Sequence, residues 1–364
     1  MNTFGQTLKM TLFGESHGEA LGIVIDGIKP GLVIDYANLN ALLTKRRPKT
    51  IYSTSRSEPD DYEIISGVFE GKTTGAPITF LIRNQNTISK DYDSLRYTPR
   101  PSHADYPAYV KYQGFNDPRG GGIFSGRLTS LMMIAGALSK QILNEKNIFI
   151  GSHILSIQNT IDDSFNLTAV SKETIQKLES LDFPVLNNAI EESMKKVIIS
   201  AKEDENSVGG IIESAIINLP CGLGEPLALS LESHLSSLLF SVPSIKGVEF
   251  GLGFDITRKT GKEANDEYTI ENGKIRTLTN NNGGILGGIT TGMPVILRVA
   301  VKPTPSIGKA QSSVNLLKNE AQTLEIKGRH DPAIVNRVVH VINAILYFGI
   351  LDYILTSTNK DWMK

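Results

Sequence analysis

The sequence predicts an α+β fold, on two observations. Strand-like and helix-like runs come in blocks rather than in the strict alternation of βαβ units, and no repeat of solenoid or propeller period is visible. No Ser/Gly-rich or Pro-rich tract separates the halves, so the 364 residues are expected to form a single domain, 1–364. Hydrophobic residues at 40% and charged residues at 21% allow a sizeable core and exclude bulk disorder. With 37 Lys+Arg against 38 Asp+Glu the formal net charge is -1, so no global field draws the chain to nucleic acid or an anionic membrane, and any anion site must be local. The one cysteine, Cys221, excludes an internal disulfide or a multi-thiolate metal site and fits a reducing compartment. Met1 to Met10 lack the features of a signal peptide, and we expect a cytoplasmic protein.

The elements follow in order. Met10 to Phe13 and Gly22 to Ile25 read as strands joined by glycine-punctuated loops. Leu39, Leu42 and Leu43 predict a helix over Asn38–Arg47 that Pro48 stops. Glu63 to Val68 and Ile78 to Arg83 read as further strands, and Ile88 to Gly122 as a long segment of little periodicity. Leu128, Leu131, Met132, Ala135, Leu138 and Ile142 form a helical stripe over Arg127–Leu143. Between Ile148 and Lys202 there are two weaker helical patterns, Ser171 to Leu181 and Ala189 to Ile199. Strand signals return at Ile211 to Leu219, Gly247 to Phe254 and Pro294 to Val301, with a helix at Ser233 to Ser241. Ala333 to Leu355 is strongly apolar but carries Arg337, His340, Asn343 and Asp352, which predicts a buried helix rather than a membrane span.

Neither the phosphate loop G-x-x-x-x-G-K-[ST] nor G-x-G-x-x-G is present, there is no H-E-x-x-H helix, and the six histidines are dispersed, so no metal site is expected. Gly14-Glu15-Ser16-His17-Gly18 has the form of a hydrolase nucleophile elbow, but β-like sequence follows where the elbow needs a helix. The alternative is a tight turn in which the imidazole beside Ser16 serves as an acid. Lys45, Arg46, Arg47, Lys49 and Arg56 form an acid-free basic run interleaved with Ser53, Thr54 and Ser55. It reads either as a solvated face or as a phosphate site of guanidinium forks and hydroxyls. In Arg100-Pro101-Ser102-His103-Ala104-Asp105 the aspartate can orient the histidine as an acid or base. Arg119-Gly120-Gly121-Gly122-Ile123-Phe124-Ser125-Gly126-Arg127 places a glycine loop ahead of a helix, an arrangement suited to anions and flat ligands. Gly283 to Gly288 is a second glycine cluster, and Gly328-Arg329-His330-Asp331-Pro332 opens the last helix with Asp331 where an N-cap is expected.

In this order, and together with Gly222-Leu223-Gly224-Glu225-Pro226 and Lys246-Gly247-Val248-Glu249-Phe250-Gly251, these motifs resemble those of the chorismate synthase family over nearly the whole chain, from Gly5 to Asp352. The resemblance implies a β-α-β sandwich, a helical core between antiparallel sheets, assembled as a homotetramer. It implies a lyase of the shikimate pathway that serves aromatic amino acid biosynthesis. The reaction is 1,4-anti elimination of phosphate from 5-enolpyruvylshikimate 3-phosphate to give chorismate, using reduced FMN (FMNH2) with no net redox change. In that family the flavin donates an electron transiently and its N5 takes up the C6 hydrogen. His17 corresponds to the histidine that protonates the departing phosphate, and His103 to the one that protonates reduced flavin near N1. Asp331 corresponds to the aspartate that assists proton removal at N5, and Ser16 and Ser125 to serines of the proton relay. Arg46, Arg47, Arg56, Arg127 and Arg329 fall at substrate or flavin phosphate ligands. The flavin contacts map to Ile123, Phe124, Ser125, Pro243, Ser244, Gly287, Lys302, Pro303, Thr304, Pro305, Ser306 and Arg329.

The chain departs from that pattern at three places. Ile123-Phe124 stand where many members have Arg-Ser, Ile51 and Tyr52 where a basic residue is common, and Pro243-Ser244 at a variable flavin-contact pair. Some fungal members reduce their own flavin with NADPH (an NADP coenzyme); no nucleotide motif appears here, which favours an external flavin reductase as partner. Two competing readings are a serine hydrolase using Ser16, and an anion- or RNA-binding module using the Lys45 to Arg56 run, which the net charge of -1 disfavours.

Overall fold

Alternation of apolar side chains in the first hundred residues builds a sheet buried on one face. Met10 and Leu12 of the strand Lys9–Gly14, and Ile78, Phe80 and Ile82 of Ile78–Arg83, turn inward while their neighbours are more exposed. Antiparallel register sets Met10 opposite Ile25, and Ile23 opposite Phe80. The computed structural model describes residues 2–47, 59–85, 96–326 and 331–357. Within them this first sheet runs Thr3–Phe4, Lys9–Gly14, Ala20–Asp26, Ile78–Arg83, Tyr62–Ser66. A second antiparallel sheet runs Ile245–Phe250, Val295–Val301, Gly210–Ile217, Phe149–Ile157, Thr160–Ile161.

The helices among the described residues are α1 (Tyr36–Arg46), α2 (Asp105–Lys111), α3 (Thr129–Glu145), α4 (Lys172–Ser180), α5 (Asn188–Glu203), α6 (Leu231–Ser241), α7 (Gly261–Ala264) and α8 (Val335–Ser357). α1 starts where the Asp35 carboxylate accepts the Asn38 N–H at 2.9 Å, and it ends on Lys45 and Arg46, cations that suit a helix C-terminus. α3 and α8 form the middle layer: α3 meets Ala20–Asp26 of the first sheet, and α8 meets Phe149–Ile157 of the second. This is the expected sandwich with a helical core between antiparallel sheets. One apolar cluster takes in residues of both sheets and of the helices between them. α8 is long and apolar enough to cross a membrane, yet it is enclosed by α3, α6 and the second sheet, as the sequence predicts.

Two findings go beyond the sequence reading. The stretch after Ile148 opens with the strand Phe149–Ile157, buried at every position. Covered by α4 on one face and α8 on the other, it lacks the alternation that marks a half-exposed strand. The irregular segment from Ile88 contains α2, and its residues 88–95 lie outside the described ones.

Buried charges tie distant segments together. Asp352, fully buried in α8, accepts the backbone N–H groups of Gln6, Thr7 and Leu8 at 2.9–3.0 Å. His153 in the second sheet lies between Asp162 at 3.2 Å and Glu213 at 3.1 Å. Burial alone would lower the His153 pKa, but the two carboxylates raise it.

α3 and α8 cross at Gly136. A Cβ there would lie 2.6 Å from the Ala344 Cα and 2.6 Å from its carbonyl oxygen, so the two backbones are in contact. Replacing Gly136 with Ala improves helix propensity by about 1 kcal/mol, but overpacking against backbone costs about 1–3 kcal/mol. We therefore expect Gly136→Ala to lower the denaturation midpoint in urea. An unchanged or raised midpoint would show that the helices have room to separate.

Candidate active site

Gly14–Gly18 forms the connection between Lys9–Gly14 and Ala20–Asp26, two antiparallel strands. Ser16 therefore does not sit on a strand-to-helix elbow, and the hydrolase reading lacks its geometry. Asn84 braces the turn, its Nδ2 donating to Glu15 O at 3.0 Å and Gly18 O at 2.9 Å. The Ser16 N–H donates to Gly122 O at 3.2 Å, which ties this turn to the glycine loop.

Gly120, Gly121 and Gly122 all have positive φ, 60°, 86° and 53°, a region that side chains disfavour. A Cβ on Gly120 would lie 2.6 Å from His17 Nε2 and 2.8 Å from Ser16 Oγ, and one on Gly121 3.4 Å from His103 Cε1. The glycines thus let the loop pass close to the two histidines. A short 3₁₀ turn, Gly126–Leu128, runs directly into α3 at Thr129, so the glycine loop lies just ahead of a helix as the sequence suggested. Ser125 caps that turn, its Oγ accepting the Arg127 N–H at 3.3 Å.

The expected histidine-aspartate pair is formed. His103 Nδ1 lies 2.6 Å from Asp105 Oδ1, and Arg100 grips the same carboxylate from Nε at 2.7 Å and Nη2 at 2.8 Å. Arg100 Nη2 also lies 3.1 Å from His103 Nδ1, so Nδ1 is engaged by this pair and orients the ring. Burial would raise the Asp105 pKa, but hydrogen bonds from Arg100 and His103 hold its carboxyl well below the usual carboxylate range. Asp105 is therefore an orienting anion, not a titrating one, at neutral pH.

Beside these loops lies a cavity of about 710 Å³. Its described lining carries Arg46, Arg47, Arg127, Lys246, Lys302 and Arg337 against the acids Asp60 and Asp331. The cations crowd one another. Burial and then the neighbouring Arg46 push the Arg337 guanidinium down to about 10, and burial and then Lys246 lower the Lys302 ammonium. Bringing an anion into the cavity relieves both.

Of the residues singled out in the sequence, Ser16, Arg46, Arg47, His103, Ile123, Phe124, Ser125 and Arg127 line this cavity, with Pro243, Ser244, Lys302, Thr304, Pro305, Ser306 and Asp331. His17 is buried against Gly120, beside Ser16. Pro303 is not part of the wall, although both its neighbours are. Gly287 is not brought to the cavity within this chain. The neighbouring Gly288 O accepts the Leu231 N–H at the start of α6, whereas Phe240 and Ser241 at the other end of that helix, about 16 Å away, line the cavity. Arg56 and Arg329, with Lys49, Ile51, Tyr52, Ser53, Thr54, Ser55, Gly328 and His330, lie outside the described residues.

The expectation that Asp331 caps the last helix is corrected. α8 begins at Val335, where Ile334 O accepts the N–H groups of Arg337 and Val338. Pro332 O is instead taken by the Val208 N–H at 2.8 Å, which holds that segment outside the helix, and the Asp331 carboxylate accepts from Arg337. Asp60, Lys246 and Arg337 are the charged wall residues to which sequence reasoning gave no role. The one signal for Asp60 is its place as an acid closing a basic run, while Arg337 belongs to no local motif at all.

The Asp105 geometry sets a pH dependence of stability. A carboxyl depressed in the folded state contributes stability that is complete above its unfolded value, about 3.9, and is lost as pH falls through the folded value. Wild type should exceed Asp105→Asn in unfolding free energy by a constant margin from about pH 5 upward. Below that the margin should shrink; a pH-independent margin would mean that the carboxylate charge is not what the site uses.

The family model described as chorismate synthase matches residues 8–355. A chorismate synthase of Pyrococcus abyssi is 43% identical over 353 residues, covering 96% of this chain and 97% of its own length. One of Methanobrevibacter smithii is 44% identical over 357 residues, covering 98% and 97%. A crystal structure of a chorismate synthase superposes with a TM-score of 0.74 at 29% identity, covering 96% of this chain and 92% of the other. With the sandwich, the glycine loop beside two histidines and the cationic cavity, a match of this extent establishes that the chain belongs to the chorismate synthase family.

Proposed function

We propose that the cavity binds 5-enolpyruvylshikimate 3-phosphate with reduced FMN and carries out the 1,4-anti elimination of phosphate to chorismate, as a carbon-oxygen lyase with no net redox change. The observation that carries this reading is the crowding of cations. Six basic side chains with two acids among the described wall residues match a substrate bearing a phosphate and two carboxylates.

The residues present also fit a flavin phosphate and ring system. Gly121 offers backbone where a side chain would meet His103, and Lys302 with the hydroxyls of Ser125, Ser244, Thr304 and Ser306 provides donors for a phosphate and a polar ring edge. Bound reduced flavin supplies the transient electron that weakens the C–O bond. Arg46, Arg47 and Arg127, with Arg56 and Arg329, hold the anionic groups of substrate and cofactor. His17 gives a proton to the departing phosphate, with Ser16 beside it. His103, oriented by Asp105, exchanges a proton through Nε2 on the cofactor side, with Ser125 in the relay. Asp331, whose carboxylate accepts from Arg337, takes up a proton at its carboxylate oxygen. The same proposal places the enzyme in the cytoplasm as a homotetramer of single-domain chains, supplied with reduced FMN by a separate reductase; the family resemblance and the lack of a nucleotide motif support it.

Purified protein incubated anaerobically with the substrate should release chorismate and phosphate in equal amounts only when dithionite-reduced FMN is added. No product from folded protein would overturn the reading. His17→Ala and His103→Ala should each cut turnover by about 10²–10⁴-fold while the protein still folds, and full activity in both would remove the acid assignments.

A further inference from the structure

A buried acid sits in the wall of this cationic cavity. Asp60 is 2% exposed, and its Oδ1 accepts from Arg127 Nη1 while its Oδ2 lies 3.7 Å from Arg47 Nε. Arg47 also donates from Nη2 to the neighbouring Pro59 O. Asp60 has a φ of 46°, in the left-handed region that Asp and Asn tolerate better than other side chains but that still carries strain. A negative charge here opposes an incoming anion, and burying it costs solvation unless it is paired. Both costs are borne at a site whose surplus is positive, so the carboxylate must return something the site needs.

The two arginines come from different elements. Arg47 follows the last residue of α1, and Arg127 lies in the turn ahead of α3. Two guanidiniums brought together on one wall repel each other, and a carboxylate between them offsets that repulsion and fixes their planes. We propose that Asp60 is a positioning residue for the anionic substrate, bridging Arg47 and Arg127 so that both guanidiniums are held ready on the cavity wall. This rests on the reading that the cavity binds a phosphorylated anion.

The sign of one substitution separates the bridge from its alternative. Asp60→Asn removes a negative charge from an anion site, so as a mere like-charged neighbour its loss tightens binding, whereas as a bridge its loss weakens it. Wild type, Asp60→Asn, Asp60→Glu, Arg127→Gln and the double variant Asp60→Asn/Arg127→Gln are titrated by calorimetry with inorganic phosphate and with 5-enolpyruvylshikimate 3-phosphate, without flavin. Steady-state rates with reduced FMN and urea unfolding accompany the titrations. The bridge predicts for Asp60→Asn a Kd and KM raised about ten-fold or more with kcat within about three-fold, partial recovery in Asp60→Glu, and a double variant no weaker than Arg127→Gln alone. Tighter or unchanged binding, additive losses in the double variant, or a loss of stability with KM unmoved each overturns it. If Asp60→Asn does not fold, Asp60→Glu and Arg127→Lys decide: a KM raised in both supports the bridge, and wild-type KM in both overturns it. Wild-type protein that binds neither probe overturns the parent reading instead, so the two failures are distinct.

Discussion

The crossing of α3 over α8, where Gly136 meets the Ala344 backbone, sets the thickness of the helical layer and with it the spacing of the two sheets. The cavity depends on the same contact. It lies where the N-terminal ends of α3 and α8 meet the C-terminal ends of α1 and α6. The α3 end presents Arg127 and Thr129, the α8 end Ile334, Arg337 and Val338, and the α1 end Arg46 and Arg47. Rigid helices packed at this distance hold charged groups from sequence positions nearly three hundred residues apart on one wall.

Around that wall, arginines are matched with carboxylates of the protein itself. Arg100 is held by Asp105, Arg119 by Asp117, Arg127 by Asp60 and Arg337 by Asp331. Such pairing keeps each guanidinium in one geometry before any ligand arrives, so binding does not have to order long flexible side chains. The cations left in excess then supply the field. His17 packs where a side chain on Gly120 would lie and His103 where one on Gly121 would, and this is a geometric reason for glycines in succession.

The α+β class and most helices were legible because their signals are local, whereas the sandwich arrangement came only with the family resemblance. The stripe of α1 and the alternation of Ile78–Arg83 follow from one-sided burial, while α3 and α8, buried nearly all round, were legible from a helical repeat of apolar residues and from length and apolarity. Phe149–Ile157 was hidden because burial on both faces erases alternation. The motifs with His17, His103, Ser125 and Arg127 stood out as clustered functional residue types, and the structure brings them to neighbouring loops. Asp60 and Arg337 carry no such pattern, since their meaning comes from partners supplied by other elements. Asp331 misled the reading because an Asp-Pro pair resembles a helix start, whereas a carbonyl committed to Val208 keeps that segment out of the helix.

The grip of Asp352 on Gln6, Thr7 and Leu8 joins positions up to 346 residues apart. During synthesis at about 5–20 residues per second, roughly 20 to 70 seconds separate the emergence of those amides from that of the carboxylate they await. Throughout that interval the start of the first sheet lacks its anchor, and α3 lacks the helix it crosses. Among the described helices α8 leaves the ribosome after the others and closes this part of the fold, so the nascent chain is a body with an open seam until α8 is made.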